Sequence, residues 1–253
     1  MKKKMLLISS SKFRGGGYLD HYDKTIPHFL LGVKEIVFIP YSAHKKNWEA
    51  YTQQVKDRFA LWGIKVLNVN DLNLYSALLN GDVRAIFVGG GNTFRLLKNL
   101  QFFGLVEAIQ KAFMSGGGLE YYMGASAGSN VAGWGIHTTN DMPIVYPEHG
   151  LEGLRLKNIQ INPHYFDPDE KSLHMGETRP QRIAEFHEES VIPVIGLREG
   201  SYLFFDEGLH QHGEMFLGGK ETGAKFFFHG KEPIDIPYPC LFKLNHETVT
   251  ICK

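Results

Sequence analysis

Several features that mark secreted, membrane-embedded or nucleic-acid-binding proteins are scarce in this chain. Only two cysteines occur, Cys240 and Cys252, and both lie near the C-terminus, so the sequence predicts two reduced thiols, with a single bridge between them as the alternative. The 27 basic and 27 acidic residues cancel, and no basic stripe with interleaved aromatic residues is present, which argues against nucleic acid as a partner. The apolar run at residues 5–8 is too short for a signal peptide, and no apolar run reaches the length of about 18 residues that crosses a membrane. We therefore predict a cytoplasmic protein that binds neither nucleic acid nor membrane.

A single α/β domain is predicted for residues 1–253. The apolar content of 43% suffices for one large core, and no repeat, low-complexity tract or linker interrupts the chain. Short β-rich runs alternate with helical patterns, which indicates βαβ units and a mostly parallel sheet with helices on both faces. The predicted strands of this part are residues 5–9, 35–40, 65–69, 84–88 and 119–123. The predicted helices are residues 26–33, residues 48–61 and a helix that Asp71 caps and that extends to residue 79.

The second half of the chain changes pattern. A short strand is predicted at residues 159–161 and a helix at residues 178–189. Glycine-containing turns then separate four short apolar runs, at residues 194–197, 201–205, 214–217 and 225–228. This succession predicts strands that form a C-terminal antiparallel extension.

Residues 119–128 carry the clearest chemical signal. A short apolar run ends in Gly-Ala-Ser-Ala-Gly at residues 124–128, the pattern that exposes a serine on a sharp turn between a strand and a helix. Val131 and Ala132 are predicted to start that helix. A lone match of this kind is often only a glycine-rich turn, but here the flanking strand and helix signals supply the context that the motif requires. We interpret Ser126 as a nucleophile.

A second glycine-rich turn, residues 89–91, follows the predicted strand at residues 84–88. It lacks the ending of a P-loop and the spacing of a dinucleotide fingerprint, so no nucleotide cofactor is predicted. Because ligands of such sheets bind outside the carboxyl ends of the strands, this turn and the serine turn are expected to lie side by side. We predict that the backbone amides of Gly90 and Ala127 form an oxyanion hole.

A serine nucleophile requires a base, and the chain offers 12 histidines. His164 differs from the others because it follows Pro163 at the end of a predicted strand, which places it on the ligand side of the sheet. His210 and His212 lack further ligand partners in an obvious pattern, so they are interpreted as exposed turn residues and no metal site is predicted.

Two acids are candidates for the residue that orients His164. Asp141 lies in a Thr-Thr-Asn-Asp cluster, where a turn or helix cap is the alternative role. Glu199 follows the predicted strand at residues 194–197, where an exposed charge in a hairpin turn is the alternative. The residues alone leave the choice open.

Several motifs together resemble the peptidase E family of α-aspartyl dipeptidases, a likeness that extends over almost the whole chain, from residues 15–19 to residues 196–200. The run Thr-Thr-Asn-Asp-Met-Pro at residues 138–143 favours this family over cyanophycinase, which shares the serine turn. The motifs that carry the resemblance are residues 89–94, 126–130, 138–145, 161–164 and 176–179.

The resemblance implies a cytoplasmic serine exopeptidase that releases N-terminal aspartate from Asp-Xaa dipeptides, on a fold similar to class I glutamine amidotransferases. It implies no metal or organic cofactor. Carried over by position, the nucleophile is Ser126 and the base is His164. Glu199 is ranked ahead of Asp141 as the residue that orients the base, and Asp141 is expected to be essential in some role.

The charges of such a substrate extend the interpretation. Arg179 is expected to bind the aspartate carboxylate, because a guanidinium can grip a carboxylate through two parallel hydrogen bonds. Asp141 or Glu148 is expected to meet the substrate ammonium, and Asn92 to add a hydrogen bond. The expected partner is a small dipeptide, and the protein is expected to be a monomer or a homodimer.

Three alternatives accompany this interpretation. The first is a cyanophycinase-like or β-aspartyl peptidase, and the second is a non-catalytic protein that binds aspartyl peptides. An amidotransferase-type glutaminase, the third, would need a cysteine where Ser126 stands.

Overall fold

Parallel strands and the helices between them form the first half of the fold. The computed structural model describes residues 2–114, 116–169, 171, 176–208, 214–219 and 222–252. The strands of the first half are β1 (Lys4–Ile8), β2 (Glu35–Ile39), β3 (Lys65–Asn68), β4 (Ala85–Val88) and β5 (Tyr121–Ala125). The helices of the first half are α1 (Thr25–Phe29), α2 (Trp48–Ala60), α3 (Leu74–Asn80), α4 (Thr93–Phe102), α5 (Leu105–Met114) and α6 (Ala127–Asn130).

The larger sheet joins these parallel strands, in the order β3-β2-β4-β5-β1, to antiparallel strands beyond β1. The antiparallel strands are, from β1 outward, β8 (Ser201–Asp206), β9 (Glu214–Gly219), β12 (Cys240–Leu244) and β13 (Val249–Cys252). The predicted α/β class and the C-terminal antiparallel extension are confirmed.

A smaller sheet lies beside the first and has the order β11-β10-β7-β6. Its strands are β6 (Gln160–Tyr165), β7 (Val194–Arg198), β10 (Ala224–Phe227) and β11 (Ile234–Ile236), and helix α7 (Arg179–Glu189) connects β6 to β7. The predicted antiparallel extension included β7 and β10, but both strands belong to this smaller sheet. Because α7 forms a crossover, β7 pairs in parallel with β6, and β10 then pairs with β7.

Alternate residues of β1 show how the larger sheet is packed. Met5 and Leu7 face a cluster that contains α3, α4 and α5, whereas Leu6 and Ile8 face a cluster that contains α1 and α2. All four side chains are buried. The sheet is therefore covered by helices on both faces, and the carboxyl ends of β1, β4 and β5 meet at one edge.

Three local predictions are wrong. Helix α1 ends at Phe29, where the predicted helix continued to residue 33. Asn73 rather than Asp71 caps α3, since its Oδ1 accepts the Ser76 amide at 3.2 Å, while Asp71 lies in a 3-10 turn. Helix α6 begins at Ala127, directly after the serine, instead of at residue 131.

The elements α4, α5, β11, β12 and β13 had no counterpart among the predictions. His210 and His212 lie outside the described residues. No helix in the described part of the chain is long and apolar enough to cross a membrane.

Candidate active site

Ser126 occupies a sharp turn between β5 and α6. Its backbone has φ of 52° and ψ of −111°, a conformation that L-residues rarely adopt. Hydrogen bonds on both sides hold it there: the Ser126 amide donates to the Ile8 carbonyl at 3.0 Å, and the Ser126 carbonyl accepts from the amides of Ser129 at 2.8 Å and Asn130 at 2.9 Å. The turn therefore fixes the direction of the Ser126 hydroxyl.

Small residues allow the turn to pack directly against the sheet. A Cβ atom at Gly128 would collide with the Val88 carbonyl of β4, and one at Gly124 would collide with the Gly128 carbonyl. The Tyr122 hydroxyl donates to the same Gly128 carbonyl at 2.7 Å. Glycine is thus required at both positions for α6 to lie this close to β4 and β5.

His164 reaches Ser126 from the smaller sheet. Its Nε2 atom lies 2.7 Å from Ser126 Oγ, within hydrogen-bond distance. His164 has a positive φ of 54°, and the pairing of β6 with β7 shifts register between Pro163 and Tyr165. The strand is therefore irregular at the residue whose side chain leaves it toward the serine.

Glu199 completes a chain of three side chains. Its Oε1 atom lies 2.9 Å from His164 Nδ1, on the opposite side of the imidazole ring from Ser126. Glu199 follows β7 directly, and Thr222 Oγ1 donates to its carbonyl at 2.7 Å. A neutral imidazole placed between the two groups can accept the serine proton at Nε2 while it donates at Nδ1 to the carboxylate.

Asp141 lies elsewhere, at the start of α4. Its Oδ2 atom accepts hydrogen bonds from the Thr93 amide at 2.7 Å and from Thr93 Oγ1 at 2.6 Å. A carboxylate at a helix N-terminus satisfies free amides and complements the helix dipole. The structure thus places Glu199 beside His164 and places Asp141 at the N-terminus of α4, the helix that follows the glycine turn.

Asn92 is also engaged at this helix. Its Oδ1 atom accepts the Arg95 amide at 3.0 Å as the N-cap of α4, and its Nδ2 donates to the Met142 carbonyl at 2.9 Å. Both ends of the side chain therefore hold the glycine turn and the loop around Met142 together.

Gly90 and Ala127 lie on either side of the serine. A Cβ atom at Gly90 would be 3.1 Å from both Ser126 Cβ and the Ala125 carbonyl oxygen, so the glycine turn touches the serine turn. Ala127 is the first residue of α6, where an amide has no acceptor within the helix. The structure brings together the two residues predicted to form an oxyanion hole.

Three residues around the site were not identified from the sequence. Ser9 Oγ accepts the His164 amide at 2.9 Å, and Ser42 Oγ donates to the Gly90 carbonyl at 2.5 Å. Burial raises the pKa of Tyr51, and hydrogen bonds from the Tyr18 side chain and the Gly90 backbone oppose that rise. A signal was available for the two serines, since Ser9 is the last residue of one predicted strand and Ser42 follows the carboxyl end of another.

Arg179 contacts the backbone of His164. One of its Nη atoms donates to the His164 carbonyl, and its guanidinium carbon is 4.1 Å from the centroid of the Phe166 ring. Burial lowers the pKa of Arg179, an effect that the nearby charge of Glu199 opposes. The half-buried cation is therefore held by stacking on Phe166 and by the backbone of His164.

A cavity of about 660 Å³ opens beside Arg179. Asn140, Asn162 and Glu177 share its lining with Arg179, and Asn140 Nδ2 also donates to the Pro163 carbonyl at 3.2 Å. The side chains of Ser126 and His164 are not among its lining residues. The cavity thus lies next to the backbone that precedes and includes His164, with a cation in its wall.

The described residues hold no group of three or more His, Cys, Asp or Glu side chains that is placed to bind a metal ion. The chemistry available to the site from these residues is that of a hydroxyl, an imidazole, a carboxylate and backbone amides.

Residues 5–212 match the family model of peptidase family S51. A Peptidase E from Streptomyces coelicolor is 44% identical over 232 residues, which cover 92% of this chain and 90% of the relative. A probable alpha-aspartyl dipeptidase from Drosophila melanogaster is 41% identical over 227 residues, which cover 89% and 90%. The crystal structure of a putative Peptidase E from Listeria monocytogenes shares the fold, with a TM-score of 0.59 and 19% identity over 87% of this chain and all of that chain.

Proposed function

The chain belongs to peptidase family S51, and we propose that it is a serine exopeptidase that hydrolyses Asp-Xaa dipeptides with an α-linked N-terminal aspartate. The observation that carries the proposal is the chain of contacts Ser126 Oγ to His164 Nε2 at 2.7 Å and His164 Nδ1 to Glu199 at 2.9 Å. This arrangement activates a serine for attack on a carbonyl, as in other hydrolases with a nucleophile, a base and an acid. The substrate class follows the names of the relatives in Streptomyces and Drosophila.

The proposed reaction has two halves. His164 removes the Ser126 proton as Oγ attacks the aspartyl carbonyl, and the amides of Ala127 and Gly90 hold the oxyanion. The same imidazole then protonates the leaving amine, which departs as the second amino acid and leaves an aspartyl ester on Ser126. Water, deprotonated by His164, attacks the ester; the serine regains its proton and aspartate is released. Glu199 stabilises the imidazolium in both halves.

The specificity that we propose depends on Arg179. Its half-buried guanidinium lines the cavity beside the base, where partial exclusion of water strengthens its attraction for the aspartate carboxylate. Neither Asp141 nor Glu148, the two acids considered for the substrate ammonium, lines this cavity. Of the glutamates that do, Glu177 is the nearest to Arg179 in the sequence, and we assign the ammonium to it.

The proposed setting is a cytoplasmic enzyme that works as a monomer or a homodimer. The thiols of Cys240 and Cys252 are free, which suits a reducing compartment. The three proposed catalytic side chains come from one chain.

The decisive assay compares Asp-Leu, β-linked Asp-Leu, Glu-Leu and Ala-Leu as substrates of the purified protein, without added metal. We expect cleavage of Asp-Leu alone and its loss in Ser126→Ala. Preferential cleavage of the β-linked peptide would indicate a cyanophycinase-like or β-aspartyl peptidase. Absence of turnover on all four peptides would leave a binding protein as the better interpretation.

The proposed role of Arg179 in binding the aspartate carboxylate is tested by Arg179→Lys, with Arg182→Lys as the matched control. Both residues line the cavity, but Arg182 is exposed and pairs with Glu177 at 3.5 Å. We expect Arg179→Lys to lower kcat/KM for Asp-Leu by about 10- to 100-fold through the loss of the bidentate geometry. Arg182→Lys should leave it nearly unchanged. Equal losses in the two variants would contradict the assignment of Arg179.

A further inference from the structure

Ser9 is a buried serine at the carboxyl end of β1, between the two sheets. It follows Ile8 directly and has no exposed surface. Its Oγ accepts the His164 amide at 2.9 Å and donates to the Leu197 carbonyl at 2.8 Å, while its own amide donates to the Ser201 carbonyl at 3.0 Å. One side chain of the larger sheet is thereby bonded to both β6 and β7 of the smaller sheet.

The His164 amide needs such a partner. The register of β6 against β7 shifts between Pro163 and Tyr165, and His164 itself has a φ of 54°, so its amide leaves the regular ladder. A buried amide without an acceptor costs about 1–3 kcal/mol, which disfavours this backbone conformation unless an acceptor is supplied. Ser9 Oγ supplies it, at the residue whose imidazole must face Ser126.

The nucleophile is fixed from the neighbouring position. The Ile8 carbonyl accepts the Ser126 amide at 3.0 Å and Ser129 Oγ at 2.7 Å. Consecutive residues at the end of β1 therefore hold the two reacting side chains: Ile8 holds the serine turn, and Ser9 holds the histidine. The Ser9 hydroxyl can therefore be removed without removal of the Ile8 backbone carbonyl that holds the serine turn.

We propose that Ser9 is a positioning residue that holds the His164 backbone at its positive φ and so fixes the imidazole at hydrogen-bond distance from Ser126. The inference rests on the proposed serine mechanism, since it assigns work to the same base. Ser9 does not line the cavity beside Arg179. Its effect is therefore expected on the chemical step and not on substrate binding.

The test is Ser9→Ala, with Ser10→Ala as the matched control. Ser10 is also buried, but its hydroxyl has no hydrogen-bond partner among the described residues. Two quantities are measured per folded molecule: kcat and KM on Asp-Leu, and the rate at which a fluorophosphonate labels Ser126. The labelling rate needs no dipeptide, so it reports on the base even if Asp-Leu is not the substrate.

We expect Ser9→Ala to lower kcat and the labelling rate together by about 10- to 100-fold, because misplacement of a catalytic group by about 1 Å has an effect of this size. KM should change far less than kcat, because Arg179 is also held by its contact with the Phe166 ring. Ser10→Ala should keep both rates, and Ser9→Thr, which retains the hydroxyl, should recover most of the loss. A merely structural role would reduce the yield of folded protein but leave its labelling rate unaltered.

The proposal is overturned if folded Ser9→Ala labels as fast as the unsubstituted protein, or if Ser10→Ala loses as much activity. Should Ser9→Ala fail to fold, Ser9→Cys decides by the same measurements: its thiol keeps a side-chain atom at the position of the hydroxyl, although sulfur is larger than oxygen, and accepts hydrogen bonds only weakly. A labelling rate well below that of the unsubstituted protein supports the role, and an equal rate refutes it. If the unsubstituted protein is labelled at Ser126 but does not cleave Asp-Leu, the proposed substrate fails while the proposal for Ser9 remains under test.

Discussion

Glu199 and Asp141 both have carboxylates near the site, and their contacts indicate different roles. Glu199 is about half exposed and lies 2.9 Å from His164 Nδ1. The Oδ2 atom of Asp141 accepts hydrogen bonds from the amide and the hydroxyl of Thr93, at the N-terminus of α4. Only the first carboxylate can stabilise a positive charge on the imidazole by direct contact.

Glu199→Gln is expected to lower kcat by about 100- to 10,000-fold, because an amide neither stabilises the imidazolium nor enforces the tautomer that accepts the serine proton. The free energy of unfolding should change by less than about 0.5 kcal/mol, since the side chain is half exposed and makes few contacts. Steady-state kinetics on Asp-Leu and urea unfolding measure the two quantities.

Asp141→Ala serves as the contrasting variant. We expect a loss of about 1–2 kcal/mol in the free energy of unfolding, because the Thr93 amide at the start of α4 loses its acceptor. Activity should fall as well, since the glycine turn before α4 carries Gly90. A stable Asp141→Ala protein with low kcat, beside an active Glu199→Gln protein, would reverse the two roles.

For single residues, the sequence predicted which side chains belong to the site better than it predicted which of them contact one another. Ser126 stood out through its motif, and His164 through the strand end that it follows. The choice between the two acids depends on strand pairing: β6 runs parallel to β7 with Tyr165 opposite Arg198, which sets His164 beside Glu199. That pairing joins residues more than 30 positions apart along the chain, and no local pattern encodes it.

Helix α6 shows how close packing directs the proposed nucleophile. It has only four residues, and Ser126 precedes it in a strained conformation. The absence of a side chain at Gly128 lets the helix lie against the Val88 carbonyl of β4. Because both contact atoms belong to backbone segments of the core, neither can move aside at low cost.

Gly128→Ala is therefore expected to destabilise the protein by about 3 kcal/mol or more, since the added methyl group must push α6 off the sheet. The measurement is the yield of folded protein together with its unfolding midpoint in urea. Gly16→Ala is the control, at an exposed loop glycine whose added Cβ would meet its nearest neighbour at 3.1 Å. A Gly128→Ala protein as stable as this control would show that α6 is free to shift.

Elements with strong local patterns were predictable, and those defined by their neighbours were not. Helix α2 matches its prediction within one residue, because its buried positions repeat at helical spacing. Helix α6 was placed too late, since the requirement that it begin at Ala127 comes from the turn and not from helical periodicity. Strands β11 and β13 have mostly exposed or half-buried residues and no clear alternation, so periodicity alone does not reveal them.

At the scale of the whole molecule, the site forms where two sheets meet. Ser126 belongs to the end of the larger sheet, while His164 and Glu199 belong to the end of the smaller one. The sequence predicted the α/β class and the strand ends that carry chemistry. It did not predict which strands belong to which sheet, because the apolar runs from residue 194 onward have the same pattern in both sheets. The α7 crossover distinguishes them.

The burial of a charged side chain affects the stability of the whole protein, and Lys157 is the clearest case. Its Nζ lies 3.2 Å from the centroid of the Phe205 ring of β8, and burial lowers its pKa to about 8, against a smaller opposing effect of Glu207. The folded state therefore binds this proton less tightly than the unfolded chain, whose lysine has the ordinary value of 10.5. Below pH 8 the lysine is charged in both states and its burial costs stability. Between pH 8 and 10.5 that cost disappears as the unfolded chain also loses the proton.

Lys157→Met keeps the apolar stem and removes the charge, so we expect it to stabilise the protein more at pH 7 than at pH 10. The difference between the two gains should be about 1–2 kcal/mol, after allowance for the ring contact that favours the charged form. Lys225→Met should instead lower the free energy of unfolding at pH 7. Hydrogen bonds to Asp167 raise the pKa of Lys225, so its charge stabilises the folded state at that pH. Urea unfolding of both variants at the two pH values measures these changes. If Lys157→Met gained as much at pH 10 as at pH 7, packing of the methionine rather than removal of a buried charge would explain the effect.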